Sequence, residues 1–267
     1  GLIEWIVSAD APGGSLEVKV VALDELSPSP AAILAVTVNL PAVLTEAHMS
    51  LFRQNAPAPD HHQAVLAQLR ERVNRLAGAL RQAGVAKGDR VAFLAPNIPA
   101  MLEGHFGPMS IGAVLVAINT RLSSLEIGQI LNHCGAKVLV FDSEYADVVR
   151  ALKDQVPSVD TFVQVVDTER KASDIAGPDY EGFLAGAPDG EHREALDSEL
   201  DTVTINYTSG TTGMPKGVQY HARGAYLNAL GELIESGMTW RSVYLWTLPM
   251  FHCNGWCNTW GVTAASG

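Results

Sequence analysis

Arg90–Ala95 reads RVAFLA, one cation followed by five apolar residues, and the run is closed by Pro96-Asn97. Six residues is the length of a strand, and continuous rather than alternating hydrophobicity marks a strand buried on both faces. The same kind of run recurs outward from it, at Ala113–Ile118, at Lys137–Phe141 (KVLVF) and at Thr161–Val166 (TFVQVV). Helical stretches separate these runs. One extends to about Gly112. A second opens on Ser123-Ser124-Leu125-Glu126, a capping-box pattern, continues through Ile127, Ile130 and Leu131, and stops at Gly135. A third covers Tyr145–Val156. Upstream, Val65, Leu69, Val73, Leu76 and Leu80 lie on one helix face, with Gly84 as its C-cap. Apolar strands spaced by helices predict an α/β fold of parallel sheets flanked by helices.

The 267 residues carry 18 Lys+Arg against 29 Asp+Glu, a net charge of −11, with 47% hydrophobic and 18% charged residues. That composition suits a folded chain with a sizeable core, and the acidic balance argues against a nucleic-acid binder. Three cysteines do not make a disulfide scaffold and point to a reducing, cytoplasmic setting. The longest apolar stretch, Ala31–Leu44, is interrupted by Thr37, Asn39 and Pro41 and falls short of the ~20 residues of a membrane span. The first fifty residues hold Lys19 against six acids, which is not the basic start of a secretory signal. Residues 1–66 stand apart. Six of the fourteen prolines lie before residue 62, and only Glu17–Leu23 shows a sustained period. Residues 167–200 read as a surface connection with a short helix near Tyr180–Leu184, and a new strand begins at Thr202.

That strand runs into Tyr207–Gly217, YTSGTTGMPKG. Gly210, Gly213 and Gly217 let a ligand approach the main chain. Their amides, with the hydroxyls of Thr208, Ser209, Thr211 and Thr212, form a donor-rich nest for phosphate oxygens, and Lys216 adds a point charge. A flexible polar turn is the plainer reading, but hydroxyl density plus a lysine directly after a strand favours phosphate. The spacing differs from the common P-loop, because Met214 and Pro215 separate Gly213 from Lys216.

YTSGTTGMPKG closely resembles the phosphate-loop signature of the adenylate-forming superfamily of acyl-CoA synthetases, adenylation domains and luciferases. GVAKGDRVAFLAPN (84–97), GAVLVAINTRL (112–122) and HCGAKVLVFD (133–142) resemble its first three core strands. LWTLPMFHCNGW (245–256) resembles the short- and medium-chain acyl-CoA synthetase subgroup that includes 3-methylmercaptopropionate–CoA ligases. The resemblance implies an ATP-dependent acid–CoA ligase. A carboxylate attacks the α-phosphate of ATP, pyrophosphate leaves, and coenzyme A captures the acyl-adenylate. Thr208, Ser209, Gly210, Thr211, Thr212, Gly213, Lys216 and Gly217 would bind the ATP phosphates, with Thr208 also reaching magnesium. His252 and Trp256 would line the acyl pocket. Partners would be a small carboxylic acid, ATP and CoA. Cys253 and Cys257, in a C-x-x-x-C beside His252, are read as small buried hydrophobes rather than a zinc site.

The resemblance also sets the expected organisation. Residues 1–66 form an atypical segment, as a shifted frame or foreign junction would give, and 67–200 a first α/β subdomain. Residues 201–267 begin a second, truncated one. The family's acidic magnesium motif, ribose-binding aspartate, hinge arginine and adenylating lysine would lie beyond Gly267, so the chain is expected to hold a partial ATP site. Two other readings compete: an adenylating enzyme that delivers to a carrier protein, and a non-catalytic nucleotide-binding remnant.

Overall fold

The structure, a computed structural model, describes residues 2–8, 16–23, 34–38, 59–166, 171–188, 190–192, 196–208, 215–239, 242 and 244–265. It divides into two compact units, residues 1–57 and 58–267. In the first unit, β1 (Leu2–Ser8), β2 (Leu16–Leu23) and β3 (Leu34–Val38) form an antiparallel sheet in the order β1-β2-β3. The register runs from Leu2↔Leu23 to Ser8↔Glu17, and from Leu16↔Val38 to Val20↔Leu34. The sequence period picked out only the middle strand. The flanking LIEWIVS and LAVTV are rich in Val, Ile and Trp, which suit a pleated surface without strict alternation.

The second unit opens with α1 (Pro59–Gln82) and is built on a six-stranded sheet in the order β7-β6-β4-β5-β8-β9. Its strands are β4 (Arg90–Leu94), β5 (Val114–Ala117), β6 (Ala136–Asp142), β7 (Thr161–Val165), β8 (Thr202–Thr208) and β9 (Lys216–His221). The first five pair in parallel, and β9 returns antiparallel at the edge beside β8. Short helices α2 (Pro99–Gly104) and α3 (Gly107–Ser110) follow β4, then come α4 (Ser124–Cys134), α5 (Ala146–Leu152), α6 (Tyr180–Ala185), α7 (Ala222–Ser236) and α8 (Asn258–Ala265).

Two apolar cores sandwich the sheet. Val91 and Phe93 of β4, and Ala95 just past it, enter one core with Leu76 and Leu80 of α1. Ala92 and Leu94 enter the other with Ile127, Ile130 and Leu131 of α4. Alternate side chains of a strand face opposite ways, so a run apolar at every position fills both layers. Only the second half of α1 reaches the core, since Val65 remains 48% exposed. The capping box of α4 forms as its sequence predicts: Ser123 N–H donates to Glu126 Oε2 at 2.9 Å and Glu126 N–H to Ser123 Oγ at 3.3 Å. Gly135 ends the helix at φ 62°, a left-handed conformation that costs glycine nothing. The Arg90 guanidinium then donates to the carbonyls of Cys134 and Gly135 at that helix end.

Leu115, Val116 and Ala117 of β5 pair with Thr204, Ile205 and Asn206 of β8, so β8 and its partner β9 extend the same sheet. Among the described residues no helix is long and apolar enough to cross a membrane.

Candidate functional site

The loop read as phosphate-binding joins β8 to β9. Tyr207 lies opposite Gly217 and Thr208 opposite Lys216, so Thr208 and Lys216 form the rungs at its mouth. Both are exposed. Ser209, Gly210, Thr211, Thr212 and Gly213 lie outside the described residues. The mouth stands at the C-terminal ends of parallel β5 and β8, the edge of an open α/β sheet where ligands collect. There it borders a cleft of about 490 Å³ lined by Asn119, Arg121, Thr208, Pro215, Phe251 and His252. Two potential phosphate donors, Asn119 and Arg121, were not singled out by the sequence reading. Their only signal was their place just past a strand end.

Gly217 sits in β9 rather than in the loop. A Cβ there would come to 3.0 Å from Ile205 Cγ2 and 3.2 Å from Tyr207 Cζ, so a larger residue would press on the tyrosine ring by a few tenths of an ångström.

His252 reaches the cleft through two anchors. Asn97, just past β4, donates from Nδ2 to the Leu248 carbonyl at 2.8 Å and accepts from Met250 N–H at 2.8 Å. This clamp fastens the segment ahead of His252 to the sheet end. Phe251 is buried beside it. The second anchor follows His252. Cys253, Asn254, Gly255, Trp256 and Cys257 all have positive φ, between 50° and 63°, making a left-handed turn that includes four non-glycine residues. Each such residue costs roughly 1–2 kcal/mol in a left-handed helix. Asn254, fully buried, holds the turn in place. Its Oδ1 accepts from Thr204 Oγ1 at 3.2 Å and from Asn206 Nδ2 at 3.5 Å, both on β8. Its carbonyl accepts from Thr259 Oγ1 at 3.3 Å.

The turn separates the two residues expected in one acyl pocket. His252 faces the cleft beside the loop mouth. Trp256, 41% exposed, lines a second cleft of about 350 Å³ with Tyr220, Asn228, Cys253 and Cys257. Cys257 is buried as expected, whereas Cys253 is half-buried with its Sγ 3.6 Å from His252 Nδ1. Burial, with added pressure from the neighbouring Cys253, pushes the Tyr220 hydroxyl up to about 12. Burial likewise raises the Cys257 thiol, which keeps it protonated and a poor metal ligand.

The family described as AMP-binding enzyme matches residues 52–267. The chain is 39% identical over 214 residues to the peroxisomal acetate/butyrate–CoA ligase of Arabidopsis thaliana, covering 75% of this chain and 37% of that protein. It is 40% identical over 192 residues to 4-hydroxybutyrate–CoA ligase 2 of Metallosphaera sedula, covering 70% and 35%. Among solved structures, the inhibitor-bound N-terminal domain of FACL13 from Mycobacterium tuberculosis superposes with a TM-score of 0.65 at 32% identity, over 74% of this chain and 48% of that one. The chain therefore spans little more than a third of the length of these two ligases, 37% and 35%.

Proposed function

Because this chain belongs to the AMP-binding enzyme family, we propose that it forms the ATP-phosphate-binding portion of an acid–CoA ligase for short- or medium-chain carboxylic acids. One placement carries the reading. Thr208, which lines an open cleft, pairs with Lys216 across the mouth of a hydroxyl- and glycine-rich loop, at the C-terminal edge of a parallel sheet. A carboxylate is a poor acyl donor, and transfer to the α-phosphate of ATP gives it a good leaving group. Negative charge grows on the departing pyrophosphate, so fixed donors and a cation around those oxygens are where the protein lowers the barrier. Lys216, at the loop mouth, would supply one cation and Arg121, which lines the cleft, a second. An exposed hydroxyl such as that of Thr208 suits a magnesium ion whose other ligands are phosphate oxygens and water, and the ion would further neutralise the phosphates. His252 would meet the adenylate or the acid from the far wall. Coenzyme A would then take the acyl group.

The acids in the names of the two relatives, acetate, butyrate and 4-hydroxybutyrate, are short, which supports the proposed range. The proposed compartment is the cytoplasm; the Arabidopsis relative is named as peroxisomal, and imaging of a tagged full-length protein decides between them. Calorimetric titration with magnesium-ATP tests the binding claim. Saturable binding, weakened about tenfold by Lys216→Ala, is expected for loss of one phosphate-facing charge. No binding, or equal affinity in the variant, would overturn it.

A further inference from the structure

We infer that Tyr207, which itself borders the cleft, and His133 behind it form a positioning latch that sets the separation and tilt of the loop mouth, and so tunes nucleotide affinity. The inference rests on the phosphate-binding reading above. Tyr207 is the residue before Thr208, and its strand partner Gly217 is the residue after Lys216. Its ring lies over Gly217, where an added Cβ would meet Cζ at 3.2 Å and the hydroxyl oxygen at 3.4 Å. The hydroxyl reaches His133 Nδ1 at 2.7 Å, and the two rings meet edge to face, 5.7 Å apart at 88°.

His133 sits in the last turn of α4, and Glu126 in the first turn of the same helix lines the loop-side cleft. The latch therefore ties the hairpin at the sheet edge to the helix that walls the cleft. An edge hairpin held only by its own ladder and a glycine would twist freely at this point; a ring laid across the glycine and pinned at its far end fixes that twist. Burial pushes the Tyr207 hydroxyl up to about 12, so it keeps its proton and stays a neutral hydrogen-bond partner of the imidazole.

The test is a double-mutant cycle on the whole chain, with Tyr207→Phe, His133→Ala and the pair, read by calorimetry with magnesium-ATP and by thermal melting. Loss of a single bond predicts about fivefold weaker ATP binding in each variant, and no further loss in the pair, because both remove the same contact. His133→Gln, which keeps an amide within reach of the hydroxyl, should restore most of the affinity. Unchanged affinity in the single variants, multiplying losses in the pair, or affinity that falls only in step with melting temperature would overturn the latch. If the unaltered chain binds no ATP, the phosphate reading fails, and the latch is judged by hydrogen exchange without ligand. Faster exchange of the Lys216–Val218 amides in Tyr207→Phe and His133→Ala would sustain it; unchanged exchange would end it.

Discussion

Glu103 places a carboxylate at 1% exposure inside the core beside α1. Arg72 donates to it from the guanidinium, and the Tyr180 hydroxyl donates at 2.6 Å. Arg72 also reaches Glu181 at 2.7 Å, so one guanidinium joins α1, α2 and α6. A buried charge is tolerable only while paired, and removing its partner strands it. Arg72→Ala should cost about 3 kcal/mol or more by chemical denaturation. Tyr180→Phe should cost only about 1–2 kcal/mol, since the arginine remains. His105 offers a contrasting case. It is fully buried, its Nδ1–H donates to the Met101 carbonyl at 2.8 Å, and burial depresses its pKa to about 4. Below about pH 6.5 the unfolded chain takes up a proton that the folded one refuses, so stability present at neutral pH falls as pH drops toward 4. The loss approaches roughly 3 kcal/mol across that window. Urea midpoints from pH 7 to 4 should fall more steeply in the native chain than in His105→Phe, which keeps the ring volume but cannot titrate; equal slopes would refute the assignment.

At the scale of elements, the strands that sequence exposed are those whose burial demands an apolar side chain at every position. Arg90–Leu94 and Ala136–Asp142 announce themselves because both cores press on them. Edge strand β9, KGVQYH, does not: it is exposed from Lys216 to Gln219, so no hydrophobic pattern is required of it. The left-handed turn after His252 was equally hidden. Nothing in C-N-G-W-C dictates positive φ at four non-glycine residues, and the constraint comes from Thr204 and Asn206 on a distant strand gripping Asn254. Asn254→Ala should therefore lower stability by about 2 kcal/mol or more, since it frees the strained turn and leaves Thr204 without its partner in the core. It should also loosen His252 and Trp256 together. Ser123→Ala, by comparison, removes a cap legible from sequence alone and should cost about 1 kcal/mol. Thermal melting of the two variants against the native chain compares the two losses.

Across the whole molecule, one sheet carries everything the site uses. Its parallel strands bring the ends of β4, β5 and β8 to one edge, where Asn97, Asn119 and Thr208 stand, and β9 closes that edge with Lys216. The sequence motif located the loop; topology explains why the loop mouth, Arg121 and His252 border one cleft although Thr208 lies 87 positions and His252 131 positions beyond Arg121 in the chain. Spatial partners such as Asn97 and Leu248 were beyond reach of a linear reading, because their pairing depends on where strand β4 ends in three dimensions. A β8–β9 mouth that grips the phosphates of a nucleotide must be shielded when the nucleotide binds. Hydrogen exchange of the chain with and without magnesium-ATP, resolved by peptide, tests it most directly. Protection is expected to concentrate at residues 207–217, with a weaker effect at 119–122. Protection confined to other regions, or none at saturating nucleotide, would contradict it.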